Sequence, residues 1–249
     1  MLAIVSAMHE EIACVLESLQ GVQTQDFGQR RFHAGRFAQV EAVAVFSRYG
    51  KVAAAATVTQ LLAAYPVSEL VFSGVAGGVR RGLAIGDVVV ASGLLQHDMD
   101  ASPIFPRYEV PLLGKAVFGT DQGLSERLMS AAREFLAEDL PGHVARAERE
   151  FFHIDAPQVI HGLIASGDKF FSNAAEAQAL RQRLPQVCCV EMEGAAVAQV
   201  CDEYSIPFAV LRTISDSADE NSVHDFPRFA RGIAAHYSAG ILARFVANR

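Results

Sequence analysis

The chain lacks any apolar run of about 18 residues or more, so nothing in it is expected to span a membrane. It lacks a basic stripe as well. The formal net charge is -7, and the electrostatic footprint of a nucleic-acid binder is missing. No basic segment followed by a long apolar run stands at the N-terminus. Met1 leads straight into Leu2-Ala3-Ile4-Val5, which reads as a first strand rather than a signal peptide, and the expected address is the cytoplasm. Cysteine is scarce: Cys14, Cys188, Cys189 and Cys201 form no C-x-x-C pair and read as buried free thiols in a reducing compartment. There is no internal repeat, low-complexity tract or linker.

What is present is apolar and alternating. The 249 residues are 51% hydrophobic, enough for one large core. Strand-like runs, most of them nearly continuous and rich in Val and Ile, are expected at 2–5, 39–46, 69–73, 87–91, 158–166, 188–190 and 208–214. Such runs suit strands buried on both faces. Helices are expected at 10–19, 51–65, 125–137, 174–184, 193–204 and 226–246, and a hairpin at 24–38. The pattern predicts one α/β domain. Residues 100–124 carry Pro103, Pro106, Pro111, Gly114 and Gly123, too many breakers for a single element, yet are rich in apolar side chains. A loop of that kind is usually a lid or an interface piece.

Ligands of α/β sheets collect at the carboxyl ends of strands, and four such ends are unusual here. After the first strand, Ala7-Met8-His9-Glu10-Glu11 reads either as a charged first helical turn that suits the helix dipole or as a carboxylate facing a cleft. Ser73-Gly74-Val75-Ala76-Gly77-Gly78 matches neither a dinucleotide fingerprint nor a phosphate loop. It is either a tight connection or a place where backbone approaches a ligand. Ser166-Gly167-Asp168-Lys169-Phe170-Phe171 puts two aromatics beyond a strand, for core packing or for stacking on a flat ring. Glu191-Met192-Glu193 and Arg212-Thr213-Ile214-Ser215-Asp216 form the fourth end. A buried Arg212 requires a carboxylate partner, whether structural or catalytic. His97-Asp98-Met99-Asp100 has the side chains of a metal site but no further His or Cys at ligand spacing, so no metal is expected. Ser215-Asp216 lacks the glycine pattern of a nucleophile elbow.

Together these segments resemble the methylthioadenosine/S-adenosylhomocysteine nucleosidases within the nucleoside phosphorylase superfamily. The resemblance runs in order over nearly the whole chain. It is strongest over 190–219, VEMEGAAVAQVCDEYSIPFAVLRTISDSAD, and continues in AMHEE (7–11), YGKVAAA (49–55), AGG (76–78), GDVVV with HDMD, and SGDKF (166–170). It implies a three-layer αβα sandwich around a mixed, mostly parallel central sheet, with residues 1–249 as one nucleoside phosphorylase-like domain working as a homodimer. By resemblance, Asp216 protonates purine N7, Glu11 activates water, and Glu193 holds the ribose hydroxyls with Met192 on the sugar face. Phe170 stacks on adenine and the Phe171 backbone reads its edge. Arg212 and Ser215 order the carboxylates, Ala76 and Gly77 belong to the AGG wall, and Met8 and Tyr49 line the 5' pocket. The apolar 100–124 loop of a second subunit, with Phe105 or a neighbour, is expected to close that pocket.

The chain departs from the family at Val75, where a small hydroxyl residue is common, and at Arg48-Tyr49, where Gly and an aliphatic residue are familiar. The 100–124 loop and the segment before Gln158 look longer than usual. The chemistry accounts for three acids. An oxocarbenium-like state needs a protonated leaving purine, a base for water and a carboxylate near the sugar, with no metal or organic cofactor. The expected partner is a small nucleoside, with no nucleic acid and no membrane. Phosphorolysis, with Arg48, Arg80 and Arg81 unassigned, is the alternative, as are a futalosine- or nucleotide-directed nucleosidase and a non-catalytic nucleoside binder.

Overall fold

The computed structural model describes residues 1–218 and 222–248, with the side chains of 222–225 outside the description. The last residue of the resemblance segment, Asp219, therefore lies outside the described residues. Ten strands and nine helices are described: β1 (Leu2–Ser6), α1 (His9–Ser18), β2 (Gln20–Phe27), β3 (Arg30–Phe37), β4 (Val40–Phe46), α2 (Lys51–Ala64), β5 (Glu69–Gly78), β6 (Val88–Gln96), β7 (Val117–Gly119), α3 (Gln122–Glu134), α4 (Leu140–His143), α5 (Arg146–Phe151), β8 (Val159–Ser166), α6 (Ala174–Arg183), β9 (Val187–Glu191), α7 (Gly194–Glu203), β10 (Phe208–Asp216), α8 (Ser222–Phe229) and α9 (Ala235–Ala247). Single π-helical turns, Phe135–Asp139 and Ala230–Ala234, follow α3 and α8.

All strands join one mixed sheet in the order β10-β6-β8-β9-β5-β1-β4-β3-β2, with β7 on β6. Its longer central pairings are parallel: β1 lies between β4 and β5, β5 runs with β10, and β6 runs with β8. Helices α1 and α3 pack on α9, and α2 packs on α7, giving the expected layer of helices on each side of the sheet. The apolar strand runs are fully buried, as reading them as two-faced strands requires: every residue of β1, β9 and β10 is inside.

The sheet also closes on itself. β10 pairs with β5 as well as β6, so β5, β10, β6, β8 and β9 close into a five-stranded ring. Closure brings the ends of β5, β8, β9 and β10 to one rim. Several boundaries also move: β6 runs on to Gln96, and the helix expected over 226–246 is α8 and α9 with a π turn between them. β5 does not stop at Ser73 but carries its glycines in-strand to Gly78, because β10 and then β9 pair with that stretch. The loop over 100–124 contains the short β7. Cys188, Cys189 and Cys201 are buried and unpaired, as expected, but Cys14 on α1 is only half-buried. Among the described residues, no helix is long and apolar enough to cross a membrane.

Candidate active site

The strand ends surround one cleft, the kind of concave site that takes a small molecule. Three carboxylates reach it from separate elements.

Glu11 settles the ambiguity of AMHEE. Glu10 stays exposed in the first turn of α1, while Glu11 turns inward and is buried. Its Oε2 accepts the N–H groups of Ala7 (2.8 Å) and Met8 (2.9 Å), and its Oε1 accepts that of Val75 on β5 (2.9 Å). The carboxylate thus caps its own helix and ties β1 to β5. Burial raises its pKa above the ordinary value, opposed by the Arg212 charge and the three N–H donors. The approach needs glycine at 74, where a Cβ would stand 2.6 Å from Glu11 Oε1 and 3.2 Å from Arg212 Nη1.

Arg212, in the middle of β10, is buried with its Nη2 2.7 Å from Glu191 Oε2 and its guanidinium 4.1 Å from the centre of the Phe72 ring. Sequence reasoning named Glu193 for a role here and gave none to Glu191. The structure gives Glu191 the structural work. Its carboxylate also accepts the Ser166 hydroxyl and the N–H groups of Glu193 (3.1 Å) and Gly194 (2.7 Å), holding the start of α7. That frees the neighbouring Glu193 side chain to line the cleft, where Oε1 accepts the Gly50 N–H at 2.7 Å. Burial, then the Glu191 charge, push the Glu193 pKa upward.

This shift has a measurable consequence. A carboxylate with a raised folded pKa holds its proton more tightly folded than unfolded, so stability falls as pH rises from the ordinary value of 4.5 through the raised one. Glu193→Gln removes that loss and keeps an oxygen for the Gly50 N–H. The melting temperature of the variant minus that of the wild type is expected to grow between pH 5 and pH 9. A flat difference across thermal melts in that range would show that Glu193 is not held against its charge.

Asp216 ends β10, opposite Gly77 of β5, just past a register shift after Ile214. Its Oδ2 accepts the Ser215 hydroxyl (2.7 Å) and its Oδ1 accepts the Ala218 N–H (2.8 Å), so the carboxyl is oriented from both sides.

Met8, Tyr49, Ala76, Gly77, Phe170, Met192 and Ser215 line the same cleft. Phe171 lines the adjoining recess with Asp216, Met192 and Ala218, and its ring meets His97 edge-on at 5.4 Å. Arg212 lies behind the wall rather than on it, acting through Glu191. Phe105 is half-buried and away from its own chain's cleft. Phe226 of α8 was missed: its ring meets Phe170 at 5.8 Å and closes the outer side. Nothing local marks it, since an aromatic near a helix start reads equally well as core. Val75 lines the cleft as well. The HDMD stretch makes no metal cluster: among the described residues no group of three or more His, Cys, Asp or Glu is placed to hold an ion. Asp98 instead pairs with Lys51.

A ring-closed α/β sheet thus gathers three carboxylates, an aromatic wall and a methionine around one cleft. The model of the Phosphorylase superfamily matches residues 1–247. The chain is a purine nucleoside N-glycosidase of that superfamily. A 5'-methylthioadenosine/S-adenosylhomocysteine nucleosidase of Geobacillus kaustophilus is 33% identical over 97% of this chain and 94% of its own length. The enzyme of that name from Neisseria meningitidis, solved with methylthio-immucillin-A, superposes with a TM-score of 0.85 at 32% identity, covering 98% of this chain and 97% of that one. The chain belongs to the methylthioadenosine/S-adenosylhomocysteine nucleosidase family. A futalosine hydrolase of Helicobacter pylori is as near, with a TM-score of 0.83 at 33% identity over 100% of this chain and 97% of that one.

Proposed function

We propose that this chain, as one nucleoside phosphorylase-like domain, hydrolyses 5'-methylthioadenosine and S-adenosylhomocysteine, releasing adenine and the 5-thioribose product. The observation that carries the reading is the placement of Glu11, Glu193 and Asp216 on one cleft with Phe170 and Met192 between them. Asp216 lies toward the recess walled by Phe170 and Phe171, where a purine stacks and receives a proton at N7. Met192 and Glu193 face the ribose, Glu193 taking its hydroxyls. Glu11 deprotonates the attacking water. The Glu11 and Glu193 carboxyls favour the oxocarbenium-like ring, whose positive charge draws Glu193 back toward its ionised form. Met8, Tyr49 and Phe226 receive the 5' substituent. The Tyr49 hydroxyl donates to Met8 Sδ at 2.8 Å, so both are set as one wall. No metal or organic cofactor enters these steps.

Water rather than phosphate is favoured because, among the described residues, no Lys or Arg lines the main cleft. Arg48 bonds the Gln29 carbonyl at 2.7 Å, Arg80 and Arg81 are exposed and off the cleft, and Lys169 of the adjoining recess pairs with Glu176 at 2.7 Å. Adenine release from both thio-nucleosides is expected in phosphate-free buffer. Activity only with added phosphate, with a ribose-1-phosphate product, overturns the reading. Faster turnover of futalosine in the same assay transfers the substrate assignment to the second relative.

The assembly proposed is a homodimer in which the 100–124 loop, with Phe105, covers the partner's 5' pocket. Ile104 and Leu112 of that loop are 82% and 91% exposed, costly for apolar side chains in a lone chain. Light scattering at micromolar concentration should give twice the chain mass. A monomer with full activity excludes the arrangement.

A further inference from the structure

The sequence motifs leave one set without a role in the chemistry: the Asp of HDMD, the Lys of YGK and the Asp of SGDKF. The fold gathers them beside the cleft without placing them in it. Lys51 Nζ lies 2.5 Å from Asp98 Oδ1 and 3.8 Å from Asp168 Oδ2. Asp98 Oδ2 accepts the Asp168 N–H at 2.9 Å, and Asp168 Oδ1 accepts the Lys51 N–H at 2.8 Å. The Lys51 side chain is only 16% exposed. The four interactions close a loop joining the ends of β6 and β8 to the start of α2.

The residue next to Lys51 is Gly50, whose N–H donates to Glu193. Gly50 has φ +91°, and a Cβ there would meet Asp168 Oδ1 at 3.1 Å. The 50–51 backbone is therefore held on two sides, by Glu193 through one N–H and by Asp168 through the next. We propose that Asp98 is a positioning residue: through Lys51 and Asp168 it fixes the Gly50 N–H, which in turn fixes the Glu193 carboxylate for the ribose hydroxyls. The inference rests on the reading of Glu193 given above.

The physical case is one of lever arms. The Gly50 N–H is the donor that orients Glu193 Oε1. Its position depends on a left-handed glycine, a conformation with little intrinsic preference for one geometry. Without the charge of Asp98, or without the Lys51 ammonium, the ion pairs that hold Asp168 over the start of α2 are lost. Asp168 is then free to leave the Lys51 N–H, and the 50–51 peptide, next to the one that carries the Gly50 N–H, loses its anchor. A displacement of about 1 Å at a reacting group can cost about 100-fold in rate.

The test compares 5'-methylthioadenosine with its 2',3'-dideoxy analogue. Asp98→Asn is expected to lower kcat/KM about tenfold on the first and less than about twofold on the second, relative to wild type on each substrate. The conservative change keeps an acceptor for the Asp168 N–H. Lys51→Met, which removes the ammonium that holds Asp168 beside Asp98, should give the same split and serves if Asp98→Asn does not fold. Equal losses on both substrates mean a structural role and overturn the proposal, as does no loss on either. Glu193→Gln is the control. If its loss is also independent of the hydroxyls, the ribose reading of Glu193 falls first; if it is hydroxyl-dependent and that of Asp98→Asn is not, only the positioning inference falls.

Discussion

Asp216→Asn is expected to lower kcat on methylthioadenosine by about 10²–10⁴-fold, the usual contribution of a general acid, with little change in nucleoside binding. Adenine leaves poorly as an anion, so the proton must arrive as the bond breaks. Asn keeps the size of the side chain, and its oxygen can still accept the Ala218 N–H that now holds Oδ1. It has no proton to give to N7. An interaction made mainly in the transition state shows in kcat more than in KM. A ribosyl nitrophenolate, whose leaving group needs no proton, should restore the variant toward wild-type rates. Near-normal kcat on methylthioadenosine would remove Asp216 from the acid role.

Glu11→Gln should fall by a comparable factor, through loss of water activation, and the nitrophenolate should not rescue it. The geometry adds a second cost. Both oxygens of Glu11 accept main-chain N–H groups, two on Oε2 and one on Oε1. The amide nitrogen of Gln must point at one of those donors, at about 1–3 kcal/mol for the unmet group. Glu11→Gln is therefore expected to melt below wild type even though it removes a buried charge, whereas Glu193, with a single main-chain donor on its carboxylate, has no such conflict. Because burial holds the Glu11 pKa above 4.5, the acid limb of kcat/KM should lie above that value and vanish in the variant. Rescue of Glu11→Gln but not Asp216→Asn by the activated substrate would reverse the acid and base roles.

Much of the site was legible because its parts are local. Val190-Glu191-Met192-Glu193 and Ser215-Asp216 sit at strand ends, and an apolar run that stops at an acid is visible in one dimension. Arg212 announced a buried partner, since an unpaired guanidinium in a central strand is prohibitively costly. Which of two carboxylates took it was not legible. Glu191 and Glu193 differ by two positions, and only their places relative to β10 and α2 separate the ion-pair partner from the cleft residue. Phe226 was missed for the same reason: it meets Phe170 across 56 residues of chain, and no spacing rule connects them.

By itself the sequence determined the alternation of buried strands and helices, the acids at their ends, and membership of a family that breaks N-glycosidic bonds. Those are properties of periodicity and motif, which depend on neighbours a few residues apart. The tertiary structure decided the rest. Pairing of β10 with both β5 and β6 closed the sheet into a ring and brought four strand ends to one rim. It turned the glycines after Ser73 from an expected loop into strand, with room at Gly74 for the Glu11 carboxylate. It also separated Glu10, left in water, from Glu11, buried against three N–H donors. Adjacent residues on a helix point about 100° apart, so which of two neighbouring acids faces the cleft depends on how α1 is docked, and that is fixed by its packing on α9 and β4 rather than by the letters of AMHEE.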